Sequence, residues 1–291
     1  MACKSLKKHR LADNLDMDGP MIKVAAGKGK NLLSSSFVPF ADLHDKRKSF
    51  DIHKSLLQKC THYFDAKLES DAGKKGEIVL SDECVDTLEA FNTWLYSGEI
   101  ERPPTKVYYK SKPSAKESQK LEVDLRARFD DRIRILTDLY ILAEKMAIND
   151  LINRCMDVIQ DGFFEYGTVF GPGQISKVFL KSKADSKLRE LVVAANVIHL
   201  DRGCSTLREE HMMLSMTVPG YFDYMLKWIG RNFHLMGRRF EEGYEIRKNP
   251  PSGFTVLNRG LLCACHFHVH GSGEAHHGHD GCAVPFMSCD H

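Results

Sequence analysis

The chain has 291 residues, with Lys+Arg 41 against Asp+Glu 39 and a formal net charge of +2, so no whole-molecule field draws it to nucleic acid or anionic lipid. Hydrophobic residues make up 43% and charged residues 27%, ordinary globular usage that excludes a wholly disordered or fibrous chain. The length suits one large domain or two small ones. No apolar run nears the roughly 18 residues of a membrane span, so the chain is expected to be soluble, with no membrane partner.

Residues 1–20 are polar and patternless and read as a disordered arm. Its basic cluster, Lys4 to Arg10, runs into Leu11-Ala12-Asp13 rather than an apolar stretch, so a secretory signal is not expected. The 9 Cys are accordingly expected as thiols in a reducing intracellular compartment, cytoplasm and/or nucleus. Cys60, Cys84 and Cys155 sit singly in apolar segments, where cysteine acts as a small buried hydrophobe. The basic cluster also has the composition of a nuclear-import address.

Met21–Ala26 alternates apolar with small or polar residues and suits a half-buried strand. Residues 27–48, punctuated by Gly, Ser and Lys, loop out. Ser49–Cys60 begins as a strand, with Phe50 and Ile52 on one face, and turns helical through Leu56, Leu57 and Cys60. Thr61 is placed to cap a segment carrying Phe64 and Leu68 on one stripe. A turn cluster over 71–77 leads to a strand over Glu77–Ser81. Ser81 or Asp82 then caps a helix whose apolar face is Val85, Leu88, Phe91, Trp94 and Leu95, and Gly98 fits the left-handed position past its end.

Arg102–Gln119, with Pro103, Pro104 and Pro113 among Lys and Ser, reads as an inserted solvated loop. A helix is expected over Asp131–Lys145, burying Ile135, Leu136, Leu139, Leu142 and Ala143. A second follows over Asn149–Asp161, burying Leu151, Ile152, Cys155, Val158 and Ile159. Asp161–Arg239 reads as wholly helical. From Phe240 the composition shifts to Gly, His, Cys and Pro with almost no apolar period, and a disordered tail is expected.

Three blocks in this order resemble the BTB/POZ domain. The first is FDIHKSLLQKCTHYF, with His53, Lys54, Leu57, Thr61, Tyr63 and Phe64 at the family's places. The second is IVLSDECVDTLEAFNTWLYSGEI, with Phe91, Leu95, Tyr96 and Gly98. The third is the helix pair LTDLYILAEKMAINDLINRCMDVI, matching at Leu139, Ala143, Glu144, Ile148, Leu151 and Cys155. The resemblance implies an α+β fold, a BTB/POZ helical cluster flanked by a small sheet, over residues 21–160, with insertions near 28–48 and 102–128. A helical extension over 161–239, with Ser186, Leu188 and Arg189 at a characteristic step, resembles that of the short intracellular BTB proteins of filamentous fungi. Two departures stand out. About 20 residues separate the first strand from the His53 strand where the family has a tight turn, and the usual Asp-Val/Leu start is missing.

What the resemblance implies is a non-enzymatic protein-interaction module that forms homo- or hetero-oligomers. It also implies an adaptor role on a cullin-3-type ubiquitin ligase, the scaffold meeting Val85–Leu95 and Asp131–Lys145. The partner-facing residues would then be Asp86, Glu89, Asn92, Asp138 and Glu144, on the polar side of those helices.

The residues themselves offer little other chemistry. His53 is expected as a half-buried histidine bonding backbone at the strand–helix junction, since no nucleophile with an orienting acid stands near it in sequence. GKGK (27–30) lacks the spacing and hydroxyl of a phosphate loop, and Trp94 and Tyr96 read as packing residues. The tail is the exception. Cys263, Cys265, His266, His268, His270 and Cys282 carry thiolate and imidazole donors suited to zinc or copper, and His266, His268 and His270 would share one face of a strand. Their spacing matches no structural zinc site. A metal-binding or metal-responsive protein is therefore the alternative reading, and a transcription or chromatin cofactor acting through Lys4–Arg10 the weaker one.

Overall fold

Strand β1 (Met21–Ala26) turns Ile22, Val24 and Ala26 into a core where each is 0–1% exposed. It forms the centre of a three-stranded sheet in the order β2-β1-β3. Strand β2 (Ser49–His53) pairs with it antiparallel, with Ile22 opposite Ile52 and Met21 opposite His53. Strand β3 (Glu77–Leu80) pairs with it parallel, with Val24 opposite Ile78. A parallel pair needs a crossover, and β2 and the helices after it supply one. The computed structural model describes residues 19–26, 48–105, 115–200, 205–237 and 266–269.

Helix α1 (Lys54–Cys60) follows β2 directly, burying Leu56 and Leu57. Thr61 closes α1 and opens a 3-10 turn (His62–Phe64), its Oγ1 accepting the Tyr63 amide at 3.1 Å, the capping role that its position suggests. Short helices α2 (Asp65–Glu69) and α3 (Asp71–Lys74) come next. The residues read as a turn cluster thus contain one helical turn, capped by Ser70 Oγ accepting the Gly73 amide, before Gly76 reverses the chain at φ 85°.

Helix α4 (Val85–Ser97) buries Leu88, Phe91, Trp94 and Leu95 as its spacing predicts. Its cap is Cys84, whose Sγ lies 2.8 Å from Thr87 Oγ1, rather than Ser81 or Asp82. Gly98 ends it at φ 67°, its amide bonding the Trp94 carbonyl at 2.8 Å. Phe64, Phe91 and Trp94 stack in series, with ring centroids 6.4 and 6.2 Å apart. Cys155 is fully buried as expected, and burial pushes its thiol well above the ordinary range. Cys60 and Cys84 are thiols at half-buried positions.

Among the described residues, these elements with 138–148 form one compact unit, and those of 102–137 and from 149 onward form a second. Helix α5 (Ala115–Met146) contributes to both. It begins at Ala115, so the loop expected to run through Gln119 is corrected over 115–119, which is helical. Its residues are mostly strong helix formers, and Arg126 bonds Asp130 one turn away at 2.8 Å. Leu121 and Val123 stay exposed, so the apolar period that would have marked it is missing.

In the second unit, α6 (Asn149–Tyr166) runs five residues past the expected Asp161. Phe129 of α5 stacks on Tyr166 at 4.2 Å and meets Phe163 edge-on at 5.5 Å. Phe163 packs on Phe170 at 4.1 Å. This cluster groups α6 with the second unit, so the compact units divide before the expected domain limit near residue 160. Helices α7 (Pro172–Lys181), α8 (Lys187–Leu200), α9 (Ser205–Thr217) and α10 (Tyr221–Gly237) follow. Ser186 Oγ accepts the Leu188 amide at 3.2 Å to start α8. Arg189 reaches back to the carbonyls of Phe179 and Ser182 at 2.7 and 2.6 Å and lies over the Phe179 ring. A cation on the last carbonyls of α7 satisfies acceptors that have no helical partner and complements the helix dipole.

One steric constraint is testable in the first unit. A Cβ on Gly73 would lie 2.2 Å from the Lys67 carbonyl oxygen and 2.6 Å from that of Leu68, backbone atoms that move only if α2 unwinds. Gly73→Ala is expected to destabilise the protein by about 1–3 kcal/mol, read as a lower urea midpoint at unchanged slope.

Candidate functional site

The first two sequence blocks and the part of the third over 138–148 meet in the first unit. His53 ends β2 at 8% exposure. Its backbone amide donates to Tyr96 Oη at 3.2 Å, and its Nδ1 lies 2.8 Å from the same oxygen. A phenol oxygen that accepts the amide keeps its own proton to give, so Tyr96 donates to Nδ1 when the imidazole carries its proton on Nε2. His53 therefore bonds a side-chain hydroxyl rather than the backbone expected for it. The rings sit edge to face, with centroids 5.8 Å apart. In this way the strand–helix junction is held to the last turn of α4.

The third block joins through Thr61, whose hydroxyl donates to the Met146 carbonyl at the end of α5. One residue earlier, Lys145 Nζ pairs with Glu83 at 3.1 Å. Partial burial works against the Lys145 charge, yet the Glu83 carboxylate, helped by Tyr63 and Asp82, leaves its pKa above the ordinary lysine value. Leu57, Phe64, Phe91, Leu95, Leu139 and Ala143 are all fully buried. The Lys54 amide bonds the Pro20 carbonyl at 3.0 Å, and Tyr63 is half-buried with Lys67 over its ring. These residues are structural: they fix α4 and the end of α5 against the sheet.

The expected partner-facing residues divide. Asp86, Glu89 and Asn92 recur three apart along α4; Asp86 is half-buried, and Glu89 is exposed and pairs with Lys48 at 3.1 Å. Asn92 is half-buried, and its Oδ1 has no hydrogen-bond partner. Asp138 is half-buried on α5. Glu144 is corrected: it is 6% exposed, on the side of α5 that carries Tyr140, and stands off the solvated face. A stripe drawn from polarity alone counts such a carboxylate as exposed because its neighbours in space are not visible in sequence.

In the second unit, four residues of the Cys/His-rich stretch, expected to be disordered, are seated on helices. Phe267 is 2% and His268 5% exposed. Asn153 of α6 brackets Val269: its Nδ2 donates to the Val269 carbonyl at 2.9 Å, and its Oδ1 accepts the Val269 amide at 2.7 Å. His268 Nε2 lies 2.8 Å from Asp157 Oδ1. His266 Nε2 lies 3.4 Å from Glu190 Oε1, off the line of a hydrogen bond, so that contact is electrostatic. Burial alone would raise the Glu190 pKa, but His266 and Lys187 hold it down at about 2.

This arrangement bears on the metal reading. Residues 266 and 267 form a turn and 268–269 no strand, and His266 and His268 face different carboxylates. Among the described residues no three His, Cys, Asp or Glu side chains gather as a metal site; Cys263, Cys265, His270 and Cys282 lie outside them. Among the described residues, no helix is long and apolar enough to cross a membrane. Sequence reasoning did not single out Asn153, Asp157 or Glu190. Asn153 and Asp157 are spaced like any solvated helix face, and their partner lies over a hundred positions away.

The family model of the BTB/POZ domain matches residues 41–112, a span that takes in β2, α1 to α4 and both members of the His53–Tyr96 contact. That family is a protein-interaction family, generally non-enzymatic. No curated protein and no solved structure gives a significant match.

Two outcomes follow from this geometry. Tyr96→Phe keeps the ring but strips the oxygen shared by the His53 amide and Nδ1. It should destabilise the protein by about 1–3 kcal/mol, measured by urea unfolding, whereas an exposed Tyr→Phe change would leave the midpoint in place. Glu190 titrates lower folded than its ordinary 4.5, so its stabilising contribution is present above pH 4.5 and lost as pH falls toward 2. Thermal unfolding of Glu190→Gln and wild type should therefore differ at pH 7 and converge near pH 2.

Proposed function

We propose, from the premise that the chain carries a BTB/POZ domain and is thereby a protein–protein interaction module, that it works as a substrate adaptor on a cullin-3-type ubiquitin ligase. Helix α4 carries this reading. It lies wholly inside the matched span, its inner face is locked to the core, Glu89 is exposed on its outer side, and Asp86 and Asn92 flank that residue at half-buried positions. A rigid helix with a regular polar side is what a scaffold protein can read with few losses of side-chain freedom. Asp138 on α5 belongs to the same unit and is half-buried, whereas Glu144 is buried.

An adaptor needs a second surface for its substrate. Helices α9 and α10 supply exposed apolar side chains, Met212, Met213, Met216, Phe222 and Leu226, each 46–76% exposed. Methionine is unbranched and polarizable and adapts to varied apolar partners, which supports a substrate-holding role for the extension.

Light scattering of the full chain, alone and mixed with a cullin-3 N-terminal fragment, tests the proposal. A mixed complex is expected, and Glu89→Arg with Asn92→Arg should weaken it by about tenfold or more, equivalent to about 1.4 kcal/mol, while leaving any self-association unchanged. A chain that self-associates but ignores cullin would reduce the function to an oligomerisation scaffold.

A further inference from the structure

We infer that α6 of the second unit carries a recognition face for a short aromatic–histidine peptide, that the chain's own His266–Val269 occupies it, and that a partner bearing the same pair competes for it. Two contacts and one burial carry the inference, and they divide the labour of peptide recognition. The first reads backbone. Asn153 satisfies both the carbonyl and the amide of Val269, at 2.9 and 2.7 Å, as a neighbouring strand would, and this gives affinity without regard to side chain. The second reads the histidine. His268 is 5% exposed with Nε2 2.8 Å from the Asp157 carboxylate, and a residue lacking a ring N–H would leave that carboxylate facing an apolar group. The third is the anchor: Phe267, 2% exposed, is the kind of fully desolvated aromatic that dominates peptide interfaces.

The spacing on α6 suits the task. Asn153 and Asp157 are four apart, hence neighbours on one helix face, and they engage consecutive residues of the peptide. Asp157 adds a charge that selects an imidazole over other aromatics. Val269 is half-buried, and the motif the face reads is an aromatic followed by histidine.

A segment tethered to the same chain has an effective concentration of the order of millimolar, so a free peptide competes poorly until the tethered copy is weakened. This gives the experiment its design. The probe is a fluorescent peptide with the sequence of residues 266–271, HFHVHG, titrated by polarisation into three full-length chains. Wild type should bind it weakly. Phe267→Ala with His268→Ala, which removes the tethered competitor and leaves α6 intact, should bind at least about tenfold tighter. Adding Asn153→Ala to that pair should abolish the gain. Equal binding by all three chains, or no gain in the double variant, would overturn the inference. So would a wild-type dimer that becomes a monomer on the double substitution, since the segment would then come from a second copy. Should the double variant fail to fold, hydrogen exchange of the wild type decides instead. The Val269 amide should be protected and lose that protection in Asn153→Ala while α7 amides keep theirs; an unprotected Val269 in wild type would sink the idea.

Discussion

One phenol oxygen organises the first unit. Tyr96 Oη takes the amide of His53 and faces its imidazole, so the residue that ends β2 and precedes α1 is tied to the last turn of α4. Without that contact a buried amide and ring nitrogen at the strand–helix junction would have lost water and gained nothing, a cost of about 1–3 kcal/mol. The rest of the unit follows from where this fixes α4. Its apolar face is pressed on Phe64 and the sheet, and Glu89 is left exposed on its outer side. The same logic brings in α5, through the Thr61 hydroxyl on the Met146 carbonyl and Lys145 on Glu83. The groups of this network satisfy one another.

The second unit uses side chains in the same way, as substitutes for missing backbone partners. Arg189 satisfies the last carbonyls of α7, and Asn153 satisfies both backbone groups of Val269. In both cases a planar side chain with fixed donor geometry fills a place where regular structure ends. The difference is reach. Arg189 acts ten residues from Phe179, within one helical hairpin, whereas Asn153 acts on a segment far along the chain. The first contact holds neighbouring helices together; the second joins segments more than a hundred residues apart.

Legibility varied with the kind of interaction. The strands over 21–26 and 77–80 and the helix over 85–97 could be read because each buries one face and so repeats apolar residues at its own period. The first half of α5 could not, because its Leu121 and Val123 stay exposed and its helicity rests on propensity and an Arg126–Asp130 pair rather than on a stripe. Ser81 and Asp82 looked like caps by residue type, yet the chain at Cys84 is the residue that takes extended geometry before α4. Glu144 looked solvated by residue type, yet it is buried, because polarity reports the preference of a side chain and not the position of its neighbours.

By itself the sequence determined the local elements and the residues that mark the BTB/POZ domain, since helix and strand periods, the left-handed glycine at 98 and the His53, Tyr96 and Phe64 positions are written along short stretches of chain. Tertiary structure alone decided that His53 bonds Tyr96 rather than backbone, that α6 packs with the helical unit through Phe129, Phe163 and Tyr166, and that four residues of a Gly/His-rich stretch are seated on Asn153 and Asp157. The reason is the same each time. These are pairings between polar or aromatic groups far apart in sequence, and the free energy of such a pair depends on distance and burial, which no local pattern carries.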